Sequence, residues 1–129
     1  MPTRSETLQA ILNETIQEGL TAMVLTTEEG LPLAVSDGDG RAEGEILAAI
    51  APVFQQAAER SGKPLLRLAE EMVMRSPSGA LVVCRFLTVG DKNFILAGLV
   101  PKGRTYRRTM NRAVRQIRKV WQETGGQAP

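Results

Sequence analysis

Two stretches constrain the fold more than any other part of the chain: ALVVCRFL, residues 80–87, and NFILAGLV, residues 93–100. Each carries apolar side chains at consecutive rather than alternating positions, the pattern of a strand covered on both faces. A turn containing Gly90 and Asp91 joins them. They therefore predict a hairpin in a sheet that has helices on both sides. A chain of 129 residues buries roughly two-thirds of its unfolded surface, enough for such a core without metal or disulfide.

The covering helices are visible in turn. Thr3-Arg4-Ser5-Glu6 fits a capping box, and Leu8, Ile11, Leu12 and Ile16 follow at helical spacing. This predicts a first helix over about residues 5–18, ended by Gly19. Ala22 to Thr27 and Leu31 to Ser36 then flank Glu28-Glu29-Gly30 as a hairpin, with glycine supplying the positive φ angle. Pro32 cannot donate to a ladder and marks the second strand as an edge. Asp37 to Gly44 reads as a loop and Glu45 to Arg60 as a central helix, with Pro52 inside it as a kink or restart. The apolar positions of this helix cover more than one stripe, so it is expected to be buried on two sides, against its own sheet and against something else. Leu66 to Arg75, with Leu66, Leu68, Met72 and Met74 alternating, predicts a third strand, with a helix over LLRLAEE as the alternative. The C-terminal helix, about 104–122, carries one apolar stripe of Tyr106, Met110, Ala113, Val114, Ile117, Val120 and Trp121. The order is α-β-β-α-β-β-β-α. It predicts an α+β fold with a five-stranded antiparallel sheet, the first and last helices on one face and the central helix on the other. One domain spans 1–122, followed by a flexible tail, 123–129.

The chemistry available is narrow. The chain has no histidine and one cysteine, Cys84, which removes the Ser-His-Asp and Cys-His arrangements and the common zinc sites. Cys84 lies in an apolar strand, where a thiol is usually inert. The DGDG stretch at 37–40 fails as a calcium loop, because the sixth position is Ala42 and the twelfth is Ala48. Glu28-Glu29 sits at a turn tip, and Glu70-Glu71 points to opposite faces of a strand, so neither pair makes a catalytic dyad. No enzyme activity, cofactor or metal is expected. The absence of a signal-like N-terminus and of a long apolar run argues for a cytoplasmic protein without membrane insertion.

Charge is uneven: residues 1–101 are net −5 and residues 102–129 net +7. The positive charge concentrates on Arg104, Arg107, Arg108, Arg112, Arg115 and Arg118. Most of these lie opposite the apolar stripe, so a solvated helix face is the simplest reading. Nucleic acid or another anionic surface is the alternative partner, but five aromatic residues in the whole chain and the acidic remainder argue against nucleic acid. Arg104, Arg107 and Arg108 oppose the helix dipole at the N-terminal end, which costs roughly 0.3–1 kcal/mol each when exposed. Glu6, Glu14 and Glu18 of the first helix are the expected compensating acids.

The element order, together with MVLTTEEGLPLAVS (Met23 to Ser36), resembles the Roadblock/dynein light chain family. In that family a helix leads into a strand, a short turn ending in Gly-Leu, and a second strand. Here the turn is Glu29-Gly30-Leu31, with glutamate where the family usually has aspartate. The resemblance covers residues 5–122 and implies a homodimer. Central helices pack together through Ile46, Ala49, Ile50, Val53, Phe54 and Ala57, and third strands pair through Leu68, Met72 and Met74. Bacterial gliding-motility regulators of the family bind a small Ras-like GTPase and promote its hydrolysis. The resemblance therefore implies such a partner here, contacted through Gln55, Gln56, Glu59 and Arg60.

Overall fold

The computed structural model describes residues 2–38, 47, 52, 56 and 70–123. Helix α1 spans Arg4–Gln17. Strands β1 (Ala22–Thr27) and β2 (Pro32–Asp37) form the first hairpin. Strands β3 (Glu71–Arg75), β4 (Leu81–Val89) and β5 (Lys92–Val100) follow, and helix α2 (Arg107–Glu123) closes the described chain. Leu47, Pro52 and Gln56 are helical. The remainder of the predicted central helix, the loop beyond Gly38, Leu66 to Ala69 and the tail from residue 124 lie outside the described residues.

The sheet has the order β2-β1-β5-β4-β3, with every neighbouring pair antiparallel. The alternation of side chains across it explains the consecutive apolar runs. Met23, Leu25, Val83, Leu87, Phe94, Leu96 and Val100 face one way and pack with Leu8, Leu12, Met110, Ile117 and Trp121 of the two helices. Ala22, Val24, Val82, Cys84, Ile95 and Ala97 face the other way and pack with Leu47. Leu47 thus lies on the face opposite α1 and α2, where the sequence expects the central helix.

Local signals explain the element ends. Thr3 and Glu6 form the predicted capping box, each side chain meeting the other's backbone N–H at 3.1 Å. Gly30 adopts φ +92°, and a Cβ there would lie 2.5 Å from Pro52 Cγ, so the turn needs glycine twice over. Pro32 starts β2 at the sheet edge, and a register shift between Leu25 and Thr26 accommodates it.

Two boundaries differ from expectation. The third strand begins at Glu71 with Glu70 outside it, although the Phe86 N–H still donates to the Glu70 carbonyl; the predicted start at Leu66 lies outside the described residues. Helix α2 begins at Arg107, not Arg104, because the chain leaves β5 through a turn closed by Arg104 N–H on the Pro101 carbonyl, with Gly103 at φ +80°.

Candidate protein-interaction surfaces

Strand β3 ends the sheet, and among the described residues its outer edge has no partner. An open edge offers unpaired N–H and C=O groups to another strand. Its side chains are exposed where those of an inner strand are buried: Val73 is 48% and Met74 41% accessible. Register fixes their directions. Glu71, Val73 and Arg75 stand opposite Arg85, Val83 and Leu81 on the α1/α2 face, whereas Met72 and Met74 stand opposite Cys84 and Val82 on the Leu47 face. Of the predicted interface, Met72 and Met74 therefore lie at an open edge. Ile46, Ala49, Ile50, Val53, Phe54, Ala57 and Leu68 lie outside the described residues. Gln56 is helical and exposed, while Gln55, Glu59 and Arg60 lie outside the described residues.

Helix α2 confirms its apolar stripe. Met110, Ala113, Val114, Ile117 and Trp121 are buried, with Tyr106 and Val120 partly so. Its basic residues do not form one uniform face, which corrects two assignments. Arg104 precedes the helix, and its guanidinium lies where a Cβ on Gly19 would be 2.7 Å from Cζ. That puts a cation just beyond the C-terminal end of α1, where it complements the dipole. Arg112 is not a free solvated cation: it pairs with Glu18 and lies 4.0 Å from Glu14, while Thr109 donates to Glu18 at 2.9 Å. The expected acidic compensation from α1 thus reaches Arg112 alone. Glu6 serves its own cap instead, and its backbone and side-chain hydrogen bonds with Thr3 hold its carboxyl below the usual glutamate value.

Arg107, Arg108, Arg115 and Arg118 are exposed, with no hydrogen-bond or ion-pair partner among the described residues. Arg85, which the sequence leaves as an ordinary strand residue, donates to Asn111 Oδ1 at 2.7 Å. It therefore ties one side of α2 to β4. Only the register of β4 against the helix reveals this, and no local sequence signal carries it.

A cleft of about 860 Å³ lies at the other end of the sheet, beside the start of α1, and is floored by Leu8, Leu33, Phe94 and Trp121. Phe94 and Trp121 pack with centroids 4.5 Å apart, and Arg4 sits 5.0 Å over the Trp121 ring. Cys84 is fully buried, and burial pushes its thiol up to about 12.

No protein-family model and no curated protein matches the chain. Solved structures do. Myxococcus xanthus MglB superposes with a TM-score of 0.70 at 9% identity, covering 95% of this chain and 93% of that one. An MglB described in a tetrameric arrangement gives 0.66 at 16% identity, over 95% and 93% of the two chains. A Roadblock/LC7 domain from Streptomyces avermitilis gives 0.61 at 16% identity, over 92% and 98%. The chain has the Roadblock/LC7 fold. The likeness spans nearly the whole chain. Among the described residues, no helix is long and apolar enough to cross a membrane.

Proposed function

We propose that this Roadblock-fold chain is a non-enzymatic, cytoplasmic homodimer that regulates or scaffolds a small Ras-like GTPase, in the manner of the bacterial gliding-motility regulators it resembles. The observation that carries the reading is the unpaired β3 edge, with Val73 and Met74 exposed. A second copy pairing there covers a sheet edge that is otherwise open to aggregation. The tetrameric arrangement of one MglB supports self-association of this fold. The exposed Gln56 of the central segment supports that outer helix face as a GTPase contact. A platform of this kind promotes hydrolysis by holding the GTPase's own switch residues in their reactive arrangement, which lowers the cost of ordering them.

Two measurements test this. Size-exclusion chromatography with light scattering should give twice the chain mass for the native protein, and one chain mass for Val73→Lys/Met74→Lys. A monomeric native protein at tens of micromolar would end the dimer reading. A pull-down with GDP or a non-hydrolysable GTP analogue should enrich a Ras-like GTPase in one nucleotide state. Equal recovery in both states, or none, would end the regulator reading.

A further inference from the structure

The unpartnered arginines of α2 do not point at random. Asn111 faces β4 through its bond from Arg85. Arg107 lies four residues before Asn111 and Arg118 seven after, so both share the β4 side of the helix, between Asn111 and the buried Val114, whereas Arg108 and Arg115 lie on the solvent side of Asn111. This row is about 16 Å long. Beyond β4 lies β3, whose α2-side positions are Glu71, Val73 and Arg75. Neither α1 nor α2 covers that strip, which is why Val73 is 48% exposed. The result is a groove with α2 as its wall and β3 as its floor. Arg107 and Arg118 stand on the wall, Arg75 and Arg85 rise from the sheet, and Val73 is the apolar base. Glu71, the cross-strand neighbour of Arg85, is the groove's acid among the described residues. Four arginines face one glutamate.

Such a concentration is unfavourable within the chain. Arg107 also sits at the first residue of α2, where the helix dipole repels a cation. The acids that neutralise α2 from within, Glu14 and Glu18, sit on α1 and reach Arg112. We propose that the α2–β3 groove binds an acidic polypeptide segment of a partner protein, its carboxylates held by Arg107, Arg118, Arg75 and Arg85 and an apolar side chain resting on Val73. Three observations select this occupant. All four cations are arginines, whose planar forks match carboxylates in pairs. The floor is recessed behind a helix, so a flat bilayer would touch the outward Arg108 and Lys119 rather than Val73. No aromatic side chain among the described residues is exposed, so nucleic-acid bases have no ring to stack on. The groove belongs to a single chain and does not require the dimer. In a β3-paired dimer, two grooves would adjoin.

The test uses the full chain and a fluorescein-labelled peptide of alternating glutamate and leucine, followed by anisotropy. Arg107→Gln/Arg118→Gln removes two charges from the groove wall. Arg108→Gln/Lys119→Gln removes the same charge from the outward side of α2. All four residues are exposed, so both variants keep the fold, which circular dichroism verifies. The groove variant should weaken peptide binding about tenfold, as the loss of two partly desolvated ionic contacts does. The outward variant should weaken it less than about threefold. Equal losses would show diffuse electrostatics and overturn the site. So would tighter binding of duplex DNA, or of vesicles containing phosphatidylserine, with the same dependence on Arg107 and Arg118. Light scattering on the same samples reports the dimer independently, so failure of either idea is recognised without the other.

Discussion

Gly98 leaves the space that the Met23 side chain fills between the sheet and the helices, and this gives a prediction with a change of sign. Gly98 is opposite Met23 in the β1–β5 ladder and opposite Val83 in the β4–β5 ladder. An alanine Cβ there would fall 2.6 Å from Met23 Sδ and 3.6 Å from Met110 Sδ. Both methionines are fully buried, at 0% exposure, so the sulfur of Met23 has little room to retreat. The backbone itself tolerates alanine, since Gly98 is not among the positive-φ glycines. Gly98→Ala therefore gains about 0.4–1 kcal/mol through the unfolded state and loses about 1–3 kcal/mol to overpacking. The net is a destabilisation of about 1 kcal/mol. Met23→Ala alone should cost about 2–5 kcal/mol, as truncations of buried methionine do. In that background the clash is gone, and Gly98→Ala should stabilise by about 0.5–1 kcal/mol. Urea unfolding of the four proteins, followed by Trp121 fluorescence at one protein concentration, closes the cycle. A cost for Gly98→Ala that is the same in both backgrounds would refute the claim that Met23 fills the space a Cβ on Gly98 needs.

Three further outcomes follow from the same geometry. Replacing arginines on the two sides of α2 should have opposite signs in thermal unfolding. Arg107→Gln relieves the dipole and should stabilise by about 0.3–1 kcal/mol, while Arg112→Gln strands Glu18 and should destabilise by up to about 1 kcal/mol; two changes of the same sign would be inconsistent. Cys84, buried and with its thiol raised to about 12, should resist a disulfide reagent at pH 8 in the native protein and react fully in urea; prompt native labelling would contradict its packing. Glu6→Gln should destabilise near neutral pH. A carboxyl held below its usual value contributes stability above the usual carboxylate range and loses it as pH falls through the folded value, so the gap between Glu6→Gln and the native protein should narrow as the pH falls below the usual carboxylate range. A gap that persists unchanged there would show that Glu6 acts through packing.

Sequence periodicity carried most of the scaffold because each signal was local. The Thr3–Glu6 box, the Gly30 turn, Pro32 at an edge and the doubly apolar β4 and β5 runs all act within a few residues, and each is found where it was expected. Arg104 was misplaced because it belongs to the same charge run as the helix; Thr105 and Tyr106 separate the two, and the turn through Gly103 that holds Arg104 out of the helix leaves no mark on the charge pattern. Arg112 looked solvated for a related reason. On a helical wheel it lies opposite the apolar stripe, and the carboxylates that claim it come from a helix about ninety residues earlier in the chain. The groove was invisible for the strongest version of this reason. Arg75 and Arg85 come from strands that read as core and edge, and only the β3–β4 register turns them toward α2.

The partition of charge across α2 bears directly on what the surface is for. A basic helix that served only solubility would gain by accepting carboxylates from either neighbour. Here α1 supplies Glu14 and Glu18 to one flank. The flank toward β3 instead gains Arg85 and Arg75, set by the strand register on the same face. Adding like charge beside an unfavourable dipole lowers the stability of the isolated chain, and such arrangements persist where a binding partner offsets them. That reasoning ties the sign expected for Arg107→Gln to the peptide measurement. The substitution that stabilises the free protein should be the one that weakens its hold on an acidic segment.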